Sequence, residues 1–482
     1  MGLANFIVNW HAALKCHRSD ESRILAIQKQ RFRRLLHHTV KNSEFYQELY
    51  SGIDIDDCRL SDLPIVTKSA MMDNFDRFTT DSRLKLREIQ QWLADKNNDG
   101  KWYLEKFLPI ATSGSTGEYA VVVYHRMALE LVQASLSVRH PFGFRRSAYE
   151  HTIILLTQLL SAKARIAAIA VARGNLVAII KKAPAFHRFL AKLKILSMFD
   201  PIDQIVAALN EFQPDCLISY PFFFAILARE QLAGRLKIAF NHPLSFLAGG
   251  GEPLTEHTHR LALEAWNMRI QDDYGTAECY FMAASCHKFG RLHLMSDLCI
   301  LEVVDGDYNP VPQGKYGEKI LVTNLANFVQ PIIRYEIEDV VAYAGHSCEC
   351  GLPFPALLPI QGRTSDFLYF QKPQGGYERF HPYRFRGPLF YIKELHQYQI
   401  IQTARNELAF FYVPQSDEGD IEQQLRQTLE EALGQAGLES RVTLKLKRVE
   451  TIARDDRSGK FQIIKSLGAP LDLDTALDRS TY

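Results

Sequence analysis

Three short strand-like segments constrain the fold of this chain most strongly, because each ends abruptly at a turn. They cover residues 216–220, which lead into Pro221; residues 244–248, which lead into three glycines; and residues 269–272, which lead into Tyr274. Strands that alternate with helical patterns are typical of a largely parallel α/β sheet. Because ligands of such sheets bind beyond the carboxyl ends of the strands, we expect the binding site beyond these turns.

The pattern changes past the polar segment 362–366, where short strand patterns and one helical pattern, residues 421–433, follow. At 482 residues the chain is also too long for one ordinary core, and roughly two to four domains are expected. We predict an α/β fold with a boundary at this segment. The large N-terminal domain, residues 1–362, holds mostly parallel sheets flanked by helices, and residues 363–482 form a small α+β domain.

Composition excludes several classes of function. The 56 basic and 55 acidic residues give a net charge of +1, so neither a nucleic-acid surface nor a polybasic membrane patch is expected. Charged residues interrupt the most apolar region, 153–180, which therefore does not predict a membrane span. Eight cysteines are too few for a disulfide scaffold, and residues 1–9 lack the basic flank of a signal peptide. We expect a soluble cytoplasmic protein.

A run of small and hydroxyl-bearing residues follows an apolar lead at 107–110. Its glycines let the backbone turn sharply, and its hydroxyl groups add hydrogen-bond donors. Successive backbone N–H groups in such a loop form a concavity that suits the oxygens of a polyphosphate, although a flexible surface loop has a similar composition. The run consists of Thr112, Ser113, Gly114, Ser115, Thr116 and Gly117.

Five segments, taken in order along the chain, resemble those of the adenylate-forming superfamily of enzymes. The run of small residues is similar to the ATP-phosphate loop of that superfamily, and residues 250–254 resemble its adenine-side segment. Residues 273–278 match the Tyr-Gly-x-x-Glu signature. Residues 334–339 resemble the segment that holds the ribose, and residues 457–460 resemble the loop of the catalytic lysine.

Residues 45–46, 63–68 and 71–78 resemble the phenylacetate–CoA ligase branch, which also includes capsule-biosynthesis relatives and deazaflavin-adenylating synthetases. This resemblance implies ATP-dependent activation of a carboxylic acid to an acyl adenylate, then transfer to the thiol of coenzyme A or of carrier-protein phosphopantetheine. Two alternatives stay open: transfer of AMP to a hydroxyl, and a catalytically silent nucleotide-binding relative. The expected partners are a small-molecule acid, an acyl carrier protein where that supplies the thiol, and a second copy in a homodimer.

The resemblance also implies roles for individual residues. Glu278 is expected to hold Mg²⁺ on the phosphates of ATP, since hard oxygen ligands suit that ion. Asp339 is expected to accept the ribose hydroxyls, Lys460 to be the catalytic cation, and Asp366 to be the hinge of a domain rotation. The other nucleotide-binding residues are the loop Thr112 to Gly117 with Gly250, Gly251, Glu252, Pro253, Asp273, Tyr274, Gly275, Thr276 and Arg363.

The acid pocket is expected to involve Tyr220, Phe222 and Gly249. Aromatic walls favour an aryl acid, because offset ring contacts reward planar ligands. The alternative is that the phenylalanines of this segment belong to the core of a helix. The sequence departs from the family pattern at residues 336–338, where two carboxylates precede Asp339. Two extra carboxylates near a nucleotide are electrostatically unfavourable unless they face away from it.

A Cys-x-Cys turn and an upstream cysteine–histidine group together offer four nitrogen and sulfur ligands. A closed structural zinc site requires this number, and some relatives in the phenylacetate–CoA ligase branch carry such a cluster beside a Cys-x-Cys turn. Buried free thiols and surface histidines are the alternative. The predicted zinc ligands are Cys286, Cys348, Cys350 and His293, with His287 as the substitute nitrogen ligand.

Overall fold

The computed structural model divides the chain into two compact units, Met1–Ile360 and Gln361–Tyr482. Within its described residues, none of the helices combines the length and apolar character that crossing a bilayer requires. The structure describes residues 3–112, 120–139, 164–170, 180, 191–242, 245–251, 254, 256–286, 291–364, 367–380, 382, 385, 389, 392, 394–415, 421–452 and 463–468.

Three described helices of the first unit begin at polar residues whose side chains accept a backbone hydrogen bond. The helix that starts at Glu21 is an example, because the Asp20 carboxylate accepts a hydrogen bond from Arg23 N–H at 2.8 Å. Short 3-10 helices lie at Leu60–Asp62 and Lys96–Asn98. The α-helices are α1 (Leu3–His17), α2 (Glu21–Asn42), α3 (Glu44–Leu49), α4 (Lys68–Asp73), α5 (Phe75–Phe78), α6 (Leu86–Ala94), α7 (Arg126–Arg139), α8 (Ile202–Phe212), α9 (Pro221–Leu232) and α10 (Glu256–Trp266).

Two small antiparallel sheets of the first unit flank the region of the predicted site. One is a hairpin of two strands, and the other has three strands in sequential order. The hairpin strands are β1 (Phe107–Ala111) and β2 (Val121–His125), and they lie on either side of the predicted phosphate loop. The other strands of the first unit are β3 (Ala164–Ala170), β4 (Ala191–Ser197), β5 (Cys216–Ser219), β6 (Phe246–Gly250), β7 (Ile270–Tyr274), β8 (Ala283–Ser285), β9 (Leu292–Leu294), β10 (Cys299–Val304), β11 (Lys319–Asn324), β12 (Tyr335–Ile337) and β13 (Ala356–Leu357).

The central sheet of the first unit has eight described strands in the order β13-β9-β8-β7-β6-β5-β3-β4. Strands β7, β6, β5, β3 and β4 run parallel to one another. The other pairs, β7 with β8, β8 with β9, and β9 with β13, are antiparallel. A parallel sheet must be covered on both faces. Accordingly, Leu217 of β5 and Leu247 of β6 are fully buried in a core that also includes residues of α8 and α9.

The second unit combines a two-stranded sheet, a four-stranded sheet and one described helix over a separate apolar core. In the larger sheet, β16 and β17 are antiparallel, while β18 and β19 lie parallel to them at the two edges. These elements are β14 (Leu368–Gln371), β15 (Tyr377–Phe380), β16 (Leu395–Ala404), β17 (Glu407–Pro414), α11 (Glu422–Gly434), β18 (Thr443–Arg448) and β19 (Ile464–Lys465).

Candidate active site

The three predicted strand ends are neighbours in the central sheet. Strands β5, β6 and β7 are adjacent and parallel, so their carboxyl ends lie at one edge. Strands β6 and β7 end at Gly250 and Tyr274, two residues later than the sequence pattern predicts. At Gly250 the backbones of β6 and β7 approach closely. A Cβ there would lie 2.9 Å from the carbonyl oxygen of Asp273, so glycine suits this position of the strand.

The predicted acid-pocket residues lie at the ends of β5 and β6. Tyr220 precedes α9 and stacks on Phe222, with ring centroids 6.3 Å apart and planes inclined by 17°. A Cβ on Gly251 would lie 3.4 Å from the Tyr220 ring, and one on Gly249 would lie 3.4 Å from Pro221. The glycines therefore bring the β6 backbone directly against this aromatic segment. The next two phenylalanines along the chain, at 223 and 224, are buried in the core, as the alternative interpretation expects.

The signature turn after β7 is a tight, internally hydrogen-bonded loop. Thr276 N–H donates to the Cys279 carbonyl at 3.0 Å, and Cys279 N–H donates to the Thr276 hydroxyl at 3.2 Å. A Cβ on Gly275 would lie 2.7 Å from the carbonyl carbon of Tyr280 and still closer to its oxygen. Only glycine fits there, because real Cβ atoms do not approach backbone that closely.

Glu278 is held by contacts to both its backbone and its side chain, and 9% of it is exposed. Asn324 Nδ2 donates to the Glu278 carbonyl at 2.9 Å. The Tyr335 hydroxyl donates a hydrogen bond to the Glu278 carboxylate. The pKa of Tyr335 is raised, mainly by burial and then by the charge of this carboxylate, so the hydroxyl stays protonated. The carboxylate is thus oriented by a neutral donor, which leaves its charge available to a cation.

Asp339 lies beside the signature tyrosine. The Tyr274 hydroxyl donates to Asp339 Oδ2 at 2.7 Å, so two predicted nucleotide-binding residues from distant segments meet. The guanidinium of Arg334 instead pairs with Glu302, at 3.0 Å, and bonds the Leu63 carbonyl at 2.6 Å. The Asp339 carboxylate is therefore placed by a hydroxyl donor of the site itself.

The two carboxylates that depart from the family pattern have separate environments. Glu336 pairs with Lys319 at 2.9 Å and also accepts a hydrogen bond from the Tyr308 hydroxyl. Glu338 is exposed to solvent. The negative charge of Glu336 is thus balanced by its own cation, as a nucleotide site at Asp339 requires.

The end of β7 carries two adjacent buried carboxyls. Burial raises the pKa of Asp272 to about 7. Burial, and then the charge of Asp272, raise the pKa of Asp273 well above its usual range. Asp273 therefore favours the neutral form near neutral pH, and a neutral carboxyl does not repel a polyphosphate.

The ends of the predicted phosphate loop close on each other. Thr112 N–H donates to the Ala120 carbonyl at 2.8 Å, and Ala120 N–H donates to the Thr112 hydroxyl at the same distance. Arg363 is half-buried in the second unit. The other predicted residues of the loop, Ser113, Gly114, Ser115, Thr116 and Gly117, lie outside the described residues, as do Glu252, Pro253, His287, Asp366 and Lys460.

The four predicted zinc ligands come together. The ligand atoms of Cys286, His293, Cys348 and Cys350 all lie within 4.8 Å of one another, and all four residues are buried. The Sγ atoms of Cys286 and Cys348 are 3.9 Å apart, and His293 Nε2 is 3.2 Å from Cys350 Sγ. Tetrahedral zinc bound to thiolates at about 2.3 Å separates its sulfur ligands by about 3.8 Å.

The histidine of this cluster is also oriented as a ligand should be. His293 Nδ1 lies 3.0 Å from the Phe354 carbonyl oxygen, so an Nδ1–H donor there directs Nε2 toward the sulfurs. The donor set of three sulfurs and one nitrogen fits a closed structural zinc site.

Comparison with known proteins connects this geometry to a fold family. No family model matches the chain. Phenylacetate–coenzyme A ligase of Thermus thermophilus is 28% identical over 167 residues, which are 34% of this chain and 37% of that ligase. Protein CapK of Staphylococcus aureus is 23% identical over 363 residues, which are 72% of this chain and 69% of that protein.

A solved structure extends the similarity to nearly the whole chain. The crystal structure of 2-hydroxyisobutyryl-CoA ligase in complex with 2-HIB-AMP has a TM-score of 0.66 at 17% identity, covering 96% of this chain and 92% of that one. The chain has the fold of the adenylate-forming ligases. This confirms the predicted α/β fold class and the resemblance to the adenylate-forming, phenylacetate–CoA ligase-like proteins.

Within the adenylate-forming fold, several buried polar residues near the site were not predicted from the sequence. They contact the signature turn or the hairpin of the phosphate loop. The sequence feature that could have indicated them is a group of three side-chain amides within a mostly apolar run at 320–333. The residues are Tyr124, Asn324, Asn327, Gln330 and Tyr335.

Proposed function

We propose that this protein activates a carboxylic acid with ATP, releasing pyrophosphate and forming an acyl adenylate, and then transfers the acyl group to a thiol. The observation that supports this most directly is the convergence at one sheet edge of Glu278 and the Tyr274–Asp339 pair. The solved relative with the adenylate-forming fold holds 2-HIB-AMP, and the curated relative named above is a CoA ligase.

The first step brings two anions together, so the site must supply positive charge and hydrogen-bond donors. Thr112 and the loop that follows it would hold the β- and γ-phosphates, and Asp339 would accept the ribose hydroxyls. Mg²⁺ held by Glu278 would supply charge neutralisation on the phosphates. An oxygen of the substrate carboxylate attacks the α-phosphorus, and the bond to pyrophosphate breaks while Lys460 stabilises the charge that develops.

The second step needs a different arrangement of the C-terminal unit. We propose that this unit, joined near Asp366, rotates after adenylation and lets a thiol attack the acyl adenylate. The thiol sulfur then attacks the acyl carbon, AMP leaves, and the thiol proton passes to solvent. We favour coenzyme A as the thiol because the curated relative is named a phenylacetate–coenzyme A ligase. Carrier-protein phosphopantetheine is the alternative.

We further propose an aryl acid as substrate. The Tyr220 and Phe222 rings stack, and Gly251, just after β6, lets the backbone lie against the Tyr220 ring, while Gly249 lies against Pro221 and Ile270. Offset contacts with such rings favour a planar acid over a flexible chain. A cytoplasmic location agrees with eight cysteines that form no disulfide, since a reducing compartment disfavours disulfides. We also propose that the protein forms a homodimer, which size-exclusion chromatography would test by measuring its mass in solution.

The test of the proposed function is ATP–pyrophosphate exchange over a panel of aryl and fatty acids. We expect exchange that depends on the added acid and on Mg²⁺, and that is faster with phenylacetate or benzoate than with an aliphatic acid of similar mass. Adding coenzyme A should convert the adenylate to a thioester and release AMP. Absence of exchange with every acid would contradict acid activation.

Product mass distinguishes the alternatives. A stable ester between AMP and a hydroxyl-bearing small molecule, without any thioester, would indicate an adenylyltransferase. Nucleotide binding without turnover in any assay would indicate a catalytically silent relative.

We also propose that Cys286, His293, Cys348 and Cys350 hold a structural zinc ion. Their donor atoms, their spacing and the Nδ1 contact of His293 fit that metal. The cluster lies between β8, β9 and the segment before β13, so the ion would link three parts of the chain that are otherwise joined by short strands.

The purified protein is therefore expected to carry about one equivalent of zinc. Cys350→Ala should lose that zinc and lower the melting temperature by about 5 °C or more, because metal binding contributes directly to folding. Cys216→Ala is the matched control, since Cys216 is also a buried cysteine but lies in β5. A wild-type protein with less than about one-tenth of an equivalent by elemental analysis would refute the zinc site.

A further inference from the structure

Side-chain amides, rather than a described strand, cover the outer edge of the phosphate-loop hairpin. Val123 of β2 lies opposite Pro109 of β1, which has no N–H to donate. The backbone groups of Val123 point instead to the other side: its N–H donates to Gln330 Oε1 at 2.6 Å, and its carbonyl accepts from Asn327 Nδ2 at 2.8 Å. Two amide side chains thus imitate the ladder of a neighbouring strand.

The same two residues continue this ladder along β2. Gln330 Nε2 donates to the Val121 carbonyl at 3.2 Å, and His125 N–H donates to Asn327 Oδ1 at 3.3 Å. Asn327 and Gln330 are fully buried. Buried amides with this many partners fix the position of the strand, because shifting it would leave several polar groups unpaired.

The segment that supplies these amides also binds the signature turn. Asn324, six residues before Gln330, donates from Nδ2 to the Glu278 carbonyl at 2.9 Å. Its Oδ1 accepts from Ala326 N–H at 2.9 Å and from Asn327 N–H at 3.2 Å, so the turn of the segment depends on the same side chain. One short segment therefore contacts both the hairpin and the Glu278 backbone.

A second, independent link joins the hairpin to the signature turn. Tyr124 of β2 is fully buried, and its hydroxyl donates to the Ala277 carbonyl at 2.8 Å. The same hydroxyl accepts from Tyr280 N–H at 3.1 Å. Tyr124 therefore bridges the backbone on both sides of Glu278.

We propose that Tyr124 and the segment 324–330 are positioning residues that hold the phosphate-loop hairpin in register with Glu278. This inference rests on the proposed function, in which the loop and Glu278 act on the same triphosphate. Loop donors and a Mg²⁺-holding carboxylate can engage one ligand only when their separation is fixed before binding. Tyr124 and Asn324 fix it from the two sides of the turn.

The test is Tyr124→Phe, which keeps the ring and removes both hydroxyl contacts. We expect KM for MgATP to rise about fivefold to tenfold, the range that the loss of a buried hydrogen bond produces, while KM for the acid stays within about twofold. Raising the Mg²⁺ concentration should partly restore the rate. The matched control is Tyr343→Phe, whose hydroxyl donates to the Leu301 carbonyl at 2.8 Å away from both loops.

Asn324→Asp provides a second variant, because it keeps the shape and removes the donor to the Glu278 carbonyl. It should give the same rise in KM for MgATP. The proposal is overturned if both variants melt at a lower temperature, as Tyr343→Phe should, while KM for MgATP stays at the wild-type value. Failure of the proposed function has a different signature, since the wild-type protein itself would then bind no MgATP by calorimetry, and the positioning role would fall with it.

Discussion

Lys460→Ala is expected to lower the rate of ATP–pyrophosphate exchange by about three orders of magnitude, because preorganised charge at the reacting centre is usually the largest single contribution to catalysis. The lysine follows Ser458 and Gly459 in a segment that resembles the catalytic-lysine loop of the adenylate-forming enzymes. Its proposed task is to stabilise charge on the carboxylate and the α-phosphate together.

The matched control for this variant is Lys447→Ala, which removes an exposed lysine of β18 in the same unit. Exchange should stay within about twofold of wild type, since an exposed charge, here 5.9 Å from the centroid of the Phe411 ring, contributes little. Both variants should keep the wild-type melting temperature. Undiminished exchange in Lys460→Ala would refute the assignment of this lysine.

Gly275→Ala is expected to abolish measurable exchange and to destabilise the first unit by about 3 kcal/mol or more, the upper range for overpacked positions. The added methyl group would overlap the backbone of Tyr280, which cannot rotate away as a side chain could. The signature turn would have to open, and Glu278 would move with it.

Gly434→Ala is the matched control for this substitution. Gly434 ends α11, and its added Cβ would lie 3.8 Å from the Glu439 carboxylate, an ordinary contact distance. Alanine is favoured over glycine in a helix by about 1 kcal/mol, so this variant should be at least as stable as wild type. Thermal unfolding and exchange measured on both variants check the prediction; a Gly275→Ala protein with wild-type exchange would contradict the proposed role of the turn.

Local patterns made the strand ends predictable from the sequence. The glycines after β6 and the Tyr-Gly turn after β7 are properties of neighbouring residues, and parallel pairing then places them at one edge. The cysteine–histidine cluster is predictable for the same reason, because a Cys-x-Cys turn is a local feature, and the structure brings its four side chains together. The partner His293 needed only the pairing of β9 with β8 and β13 to reach it.

The contacts that hold the site could not be predicted in this way. Asn327 and Gln330 meet β2 from more than two hundred residues away along the chain, at separations of 204 and 207 residues. The sequence around such an amide does not indicate which strand its side chain will hydrogen-bond, because every exposed strand edge offers the same N–H and carbonyl groups. The pairing of Glu336 with Lys319 likewise depends on the register of β11 and β12 rather than on local sequence.

The amide-covered edge of β2 has a consequence for synthesis on the ribosome. Val123 emerges 207 residues before its partner Gln330. At about 5–20 residues per second, the outer edge of the hairpin waits roughly 10–40 s before its partners exist. An uncovered strand edge is a template for wrong pairing during that interval. Chaperone dependence and yield in the cell should therefore respond to translation speed between residues 125 and 330, a sensitivity that the finished protein does not reveal.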